Sequence, residues 1–387
     1  MKKARLVWDG DKIRVPEEMG TPAPGQLTGT PLEQLTELAV RICYHSLGTD
    51  ENGKPRGRST EDTLANIMAR DRPASETKHF STLEHANKTI EFCDVPSIAH
   101  EEFLLAFVNR PGCHLRWGSG KFRVTINLRA VLEWDKWSAI LIREHGPDQD
   151  IDIAKWWSDV GEAIRFVLQS FAPLIIDSCR PLCPDVADAI YLIQPETAAE
   201  EWVSLWLRES RGFTHEMVRH RFAISQRSTR YCDETEAVFH KHPLLEEFAA
   251  ETHLDGGVKE EARQTVIRHA DLAALHARKA YAVLVEELET WLKARGGVKA
   301  RDARKQARGA ARYYMGHNLD SQMIFSAPTW GWRHILYLRG VEGADAPIRA
   351  VAVEMLEAIR ESRYAARFED IEIVPATDGL GSALRFP

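Results

Sequence analysis

The run Arg219-His220-Arg221-Phe222-Ala223-Ile224-Ser225-Gln226-Arg227-Ser228-Thr229-Arg230-Tyr231 sets five cationic or imidazole side chains and two spaced serines within thirteen residues. Guanidinium forks bind phosphate bidentately and carry a charge that does not titrate, while serine hydroxyls both donate and accept. The run is too irregular to be one amphipathic face and reads as a cradle for a polyanion. On spacing alone, a basic surface turn or a nucleic-acid patch is the alternative.

The chain around this run is mildly acidic: 50 Lys and Arg against 57 Asp and Glu give a formal net charge of −7 and a pI near 6.1. General nucleic-acid binding is disfavoured, because affinity for a phosphate backbone comes from many basic contacts. With 387 residues, 44% of them hydrophobic, the chain can bury the core of one large domain or two of ordinary size. The six cysteines (Cys43, Cys93, Cys113, Cys179, Cys183 and Cys232) include one Cys-x-x-x-Cys pair and no second pair at zinc-ligand spacing. No metal is expected, and unpaired thiols fit a reducing cytosol. The basic start Met1-Lys2-Lys3-Ala4-Arg5 runs into Trp8-Asp9-Gly10-Asp11 without an apolar signal core, and no later run is long enough to span a membrane. A soluble, cytoplasmic protein is expected.

Residues 1–30 read as a short strand and a Pro/Gly-rich loop. Apolar positions at helical spacing after Pro31 predict a helix over 31–42, a polar loop follows over 48–58, and a second helix is expected over 60–69. His79-Phe80-Ser81-Thr82-Leu83-Glu84-His85 reads as a turn leading into the strand-like alternation of 86–92, where a capped turn with structural histidines is the plain alternative. A helix is predicted over 97–109, a strand over 121–126, a helix over 127–134 and another over 153–171, bounded by Pro173. Arg304, Arg308 and Arg312 fall at i, i+4 and i+8, one stripe of a helix, which by itself usually means a solvated face.

Several of these stretches together resemble one family. Phe213-Thr214-His215-Glu216-Met217-Val218 leading into Arg219-His220-Arg221, then Ser225-Gln226, Ser228 and Arg230-Tyr231, is similar to the signature of the flavin-dependent thymidylate synthases, with at least one residue fewer between the Arg-His-Arg triplet and the serine. The turn at 79–85 resembles the family's His-x-Ser/Thr-x-x-Glu-His element, and Asn127-Leu128-Arg129 a flavin-contacting Asn-x-Arg. The 304–312 stretch resembles a family helix whose last arginine reaches the nucleotide, and 332–339 one that ends in a substrate-binding arginine.

The resemblance implies reductive methylation of dUMP to dTMP, with FAD as the bound cofactor, NADPH refilling the flavin and methylenetetrahydrofolate as carbon donor. By it, Glu216, Arg219, Ser228, Arg230, Arg312 and Arg339 are dUMP residues, with Ser228, Arg230 and Arg339 carrying the catalytic role. Ser228 has no visible base-and-orienter partner, so its hydroxyl is expected to bind phosphate rather than attack. Ser81, Glu84, Asn127, Arg129, Arg219, His220, Arg221 and His334 are implied along FAD. A flavoenzyme acting on another pyrimidine nucleotide, and an inactive nucleotide-binding paralogue, stay open.

An α+β fold of two related units is expected, each a small sheet flanked by helices. Glu84-His85, a strand and His100-Glu101 mirror Glu200-Glu201, the apolar segment 202–207 and His215-Glu216; residues 124–134 mirror 323–338. The first unit, 1–180, keeps the His79/Ser81/Glu84 turn and Asn127-x-Arg129; the second, 181–387, keeps the signature loop but has Pro328 and Trp330 where the first has Asn127 and Arg129. Since the resembled enzymes of single-unit length form tetramers, a chain of two units is expected to form a homodimer equivalent to four units.

Overall fold

The computed structural model describes residues 2–10, 12–68, 80–92, 100, 102, 105, 113–118, 121–145, 151–176, 193–195, 201–250 and 260–387. The chain opens with β1 (Ala4–Trp8), α1 (Pro31–Tyr44) and α2 (Thr60–Met68). After a 3₁₀ turn at Phe80–His85 come β2 (Asn87–Phe92), β3 (Cys113–Gly118) and β4 (Lys121–Asn127). Helices α3 (Leu128–Leu132), α4 (Trp134–His145), α5 (Ile151–Gln169) and α6 (Pro173–Ile176) follow. Next are β5 (Ile193–Pro195), β6 (Trp202–Ser210), α7 (Arg211–Met217) and β7 (Ala223–Gln226). The remainder holds α8 (Pro243–Ala250), α9 (Glu260–Arg295), α10 (Ala300–Ala311), β8 (Asp320–Pro328), α11 (Thr329–Gly340), α12 (Ala346–Arg360), β9 (Glu372–Pro375) and β10 (Ser382–Arg385).

This is the α+β class read from the sequence. Two compact units divide the chain: Val7–Arg41 with Ser46–Ser204, and Met1–Leu6 with Ile42–His45 and Leu205–Pro387. The boundary expected at 180/181 lies outside the described residues, as do His79, Glu101 and Glu200. Of the helix expected over 97–109, His100, Glu102 and Leu105 are described, and all three are helical. Among the described residues, no helix is long and apolar enough to cross a membrane.

In the first unit, α1 starts on a capping box. The Thr30 amide donates to the Glu33 carboxylate at 2.8 Å, and the Glu33 amide donates back to Thr30 Oγ1 at 3.4 Å. Leu32, Leu35, Leu38 and Ala39 bury one face of α1. On that helix Glu37 and Arg41 are almost fully buried as an ion pair; Arg41 also donates to the carbonyls of Ser46 at 2.9 Å and Arg58 at 2.7 Å, so a single guanidinium holds the polar loop shut. Strands run in the order β3-β4-β2-β5, with β2 antiparallel to β4 and Asn87 opposite Asn127.

The helix expected to run unbroken over 127–134 is two helices. Glu133 leaves α3 at φ −91° and ψ 6°, and Trp134 begins α4. The Trp134 ring stacks on Trp157 with centroids 4.4 Å apart, and the Trp157 indole donates to Ser138 Oγ at 2.7 Å. Gly161 makes that stacking possible, because a Cβ there would fall onto the Trp134 indole. Gly161→Ala should therefore cost about 2 kcal/mol through overpacking, despite alanine's better helix propensity. Chemical denaturation of the full chain measures this, and an unchanged or raised midpoint would contradict it.

In the second unit the strand order is β1-β6-β8-β7, and β8 is buried at every position. Trp206, Phe325 and Trp332 fill the core, and α12 turns Ile348, Val351, Ala352, Met355, Leu356 and Ile359 inward. Arg349 is 1% exposed and clamps both Asp378 oxygens at 2.8 and 2.7 Å, which ties the turn before β10 to α12. The 36-residue α9, with Tyr281 and Leu292 buried, was not anticipated from the sequence. Its signal was an uninterrupted run without Gly or Pro, obscured by weak amphipathic contrast.

Candidate functional site

The decisive run folds as a helix end, a tight turn, a strand and a second turn, which is why no single periodicity fits it. Helix α7 starts at Ser210, whose Oγ accepts from the Phe213 amide at 3.3 Å, and passes into a 3₁₀ turn at Val218–His220. Arg221 then takes the left-handed conformation, φ 55° and ψ 29°. Glycine usually occupies that position, so a non-glycine residue there stores strain that the surroundings must hold. The reversal sends the chain into β7, antiparallel to β8 from Ala223 opposite Ser326 to Gln226 opposite Met323. Gln226 fixes the strand to the helix by donating to Thr214 Oγ1 at 2.9 Å and Ser321 Oγ at 3.0 Å.

At the last turn of α11, Arg339 reaches this corner. It donates to the Glu216 carboxylate at 2.6 Å and through Nε to His220 Nε2 at 3.1 Å. Burial, then the neighbouring charge of Arg339, then His334, push His220 down to about 4. His220 is therefore neutral near pH 7, and acceptance at Nε2 leaves its proton on Nδ1, free to donate. Exposed His334 stands edge-on to it, with ring centroids 6.2 Å apart. Arg219 and Arg221 are exposed and have no hydrogen-bond or ion-pair partner among the described residues. Phe222 packs edge-on to Trp330 at 5.5 Å and lies over Gly331, where a Cβ would meet its ring at 2.6 Å.

Ser228 anchors the second turn by its backbone. Its amide donates to the Cys43 carbonyl at 3.0 Å, and its carbonyl accepts from the amides of Tyr231 at 3.0 Å and Cys232 at 2.9 Å. Arg230 projects exposed from this turn, its guanidinium 5.8 Å from the Tyr231 ring. Arg308 braces the turn from α10, donating to the Tyr231 carbonyl at 2.6 Å and to Asp233 at 2.5 Å. Beneath it Arg227 pairs with Glu234 at 3.0 Å; burial pushes Glu234 up to about 7, with Arg227 opposing the rise. Burial likewise pushes the Cys43 thiol up to about 12, so it has no thiolate character. Arg312, half-buried just beyond α10, adds to the effect of burial in lowering the pKa of Arg211.

The residues implied along FAD thus fall into two groups, one in each unit. In the first unit Arg129 bonds Glu84 at 2.5 Å and Glu133 at 3.2 Å. Burial raises Glu84, with Arg129 opposing. Asn127 accepts from the Ala130 amide at 2.9 Å and so caps α3, while Ser81 is exposed in the Phe80–His85 turn. In the second unit Glu216, His220, His334 and Arg339 meet, flanked by Arg219 and Arg221; Ser228 and Arg230 belong to the next turn, braced by Arg308. Arg308, on the Arg304/Arg308/Arg312 stripe whose plain reading is a solvated face, is bonded to the turn. Gln226 and the Phe222–Gly331 contact were missed, although the glycine between two tryptophans was a signal for the latter.

Arg339→Met should raise the His220 pKa from about 4 toward 6.5, since it removes a cation but keeps most of the bulk. Because the folded value lies below that of an open histidine, the unfolded chain takes the proton first. His220's contribution to stability is complete above pH 6.5 and is lost as the pH falls toward 4. Titration of the imidazole signals by NMR reads the shift; an unmoved midpoint would leave burial as the whole cause.

Residues 199–362, which include the decisive run, Arg312 and Arg339, match the family described as thymidylate synthase complementing protein. The flavin-dependent thymidylate synthase of Corynebacterium aurimucosum is 33% identical over 175 residues, 45% of this chain and 63% of that protein. That of Mycobacterium marinum is 33% identical over 171 residues, 44% of this chain and 61% of its own. The chain therefore spans about three-fifths of the length of these relatives. The crystal structure of a UMP/dUMP methylase, PolB, from Streptomyces cacaoi bound with 5-Br UMP is 18% identical with a TM-score of 0.29, over 43% of this chain and 74% of that one, a likeness too slight to carry an argument. Over residues 199–362 the resemblance read from the decisive run holds: this part of the chain is similar to the flavin-dependent thymidylate synthases.

Proposed function

We propose that the chain is a flavin-dependent thymidylate synthase that converts dUMP to dTMP with FAD, NADPH and methylenetetrahydrofolate. The observation that carries this is Arg339 held between Glu216 and His220 beside Arg219 and Arg221, which have no hydrogen-bond or ion-pair partner among the described residues, all within the stretch that matches the family. FAD supplies the hydride that no side chain can. Two exposed cations flanking His220, with the Phe222–Trp330 aromatic pair beside them, fit the phosphates and ring of a flavin. In the first unit Ser81 is exposed. Glu84, Arg129 and Asn127 already satisfy one another or the backbone and would have to exchange those bonds.

The side chains contribute electrostatics and placement. Arg230, Arg312 and the Ser228 hydroxyl hold the nucleotide phosphate. Arg339 orients the uracil edge, with Glu216 fixing the direction of its fork. Neutral His220 accepts from Arg339 at Nε2 and offers its Nδ1 proton as a donor, whereas an imidazolium would lose the acceptor that Arg339 uses. Product analysis with dUMP, UMP and dCMP tests the reading: dTMP from dUMP is expected. Arg339→Ala should weaken dUMP binding by ~2 kcal/mol or more with flavin content nearly unchanged. Methylation of UMP or dCMP alone would move the assignment to another pyrimidine nucleotide.

We further infer two diverged copies of one unit. Supporting this, β5-β2-β4-β3 and β1-β6-β8-β7 have matching order: the outer strand β3 or β7 pairs with the strand that follows it in the chain, β4 or β8, which also pairs with the strand that precedes the outer one, β2 or β6, and β4 and β8 each lead directly into a helix. Asn127 ends β4 where Pro328 ends β8. A homodimer of about twice 43.8 kDa with one FAD per chain is expected, measurable by light scattering and flavin absorbance. A tetramer with two flavins per chain would overturn it.

A further inference from the structure

A pocket of about 500 Å³ opens beside Arg230, on the side of the second turn that faces the start of α10; Lys299, Asp302, Lys305 and Gln306 line it. Tyr231 gathers the cations, with Arg230 5.8 Å and Lys305 Nζ 5.1 Å from its ring. Arg308 holds the carbonyl of the same tyrosine at 2.6 Å, so the platform is fixed from behind. Among the described residues Arg230, Lys299 and Lys305 form no ion pair. Asp302, between the two lysines at i+3 from each, forms none either, and the lining keeps an excess of two positive charges.

Two like charges held over one ring without a carboxylate in contact are a standing repulsion that an anion would relieve. A single phosphate needs one fork and one point charge, which Arg230 and Lys305 already provide. Lys299 stands six residues earlier, about 9 Å further along the helix axis at 1.5 Å per residue. The cations therefore form a strip rather than a cup. We propose that Arg230, Lys305 and Lys299 constitute an anion site for a ligand carrying two or more linked phosphates, of the nucleoside di- or triphosphate class. Arg230 belongs both to this strip and to the monophosphate site proposed above, so an oligophosphate bound here competes with the nucleotide substrate.

The test uses tripolyphosphate and orthophosphate, titrated calorimetrically into the full chain at fixed ionic strength. Tripolyphosphate should bind at least 10-fold more tightly than orthophosphate. Lys299→Gln combined with Lys305→Gln, neither side chain being part of the buried core, should loosen tripolyphosphate at least 10-fold while leaving dUMP affinity within 2-fold. Equal affinity for the two anions, or an undiminished tripolyphosphate affinity in the double variant, overturns the site. The titration requires neither uracil, flavin nor folate, so the strip can hold if the proposed reaction fails. Conversely, dTMP formation without any tripolyphosphate binding would sink the strip alone.

Discussion

Arg339 is the side chain on which the second unit's site depends. A half-buried guanidinium cannot shed its charge and must find acceptors, and here it finds one carboxylate and one imidazole. That requirement fixes three things together. It places the end of α11 against the end of α7, ties Glu216 to the guanidinium fork, and discourages a second cation on His220. The left-handed Arg221 follows from the same closure, because the chain must reverse immediately after His220 to reach its partner strand β8.

The arginines of this protein sort by whether their charge is already answered. Arg41 and Arg349 are buried, paired and bonded to several carbonyls, and they hold loops shut. Arg227 and Arg308 are paired under the 227–234 turn and act as its braces. Arg219, Arg221 and Arg230 are exposed and form no ion pair among the described residues. An answered charge contributes to structure, whereas an unanswered one retains its capacity to bind. Residue type alone does not distinguish these cases, which is why the arginine stripe of α10 admitted both a solvated reading and a binding one. Arg308 of that stripe does neither directly; it supports the turn that presents Arg230.

Much of the architecture was legible where local chemistry coincided with local structure. Pro31 and the Thr30–Glu33 box mark the start of α1, and the apolar runs around 121–126 and 323–328 become strands. The break at Glu133 was not legible. It accompanies a stack between Trp134 and Trp157, a contact across two helices that no window of sequence contains. The long α9 was missed for the opposite reason: most of its surface is exposed, so the burial that creates periodicity is weak. At the site, residue types along the run showed its concentration of cations, whereas the link from Arg339 to His220 spans 119 positions and needed the fold.

Asn127 shows how one residue can satisfy both a structural and a functional reading. Its carboxamide oxygen caps α3, which accounts for an Asn at that place without any ligand. Pro328 ends β8 in the second unit, and α11 starts there without a side-chain cap. Proline is tolerated because it supplies a fixed φ at the helix entrance, and Thr329 carries the chain into α11. Arg129 is similarly occupied, by Glu84 and Glu133, while Trp330 in the second unit offers a ring to Phe222. The polar junction of the first unit and the aromatic junction of the second are thus two strand-to-helix transitions with different surfaces left over for a ligand.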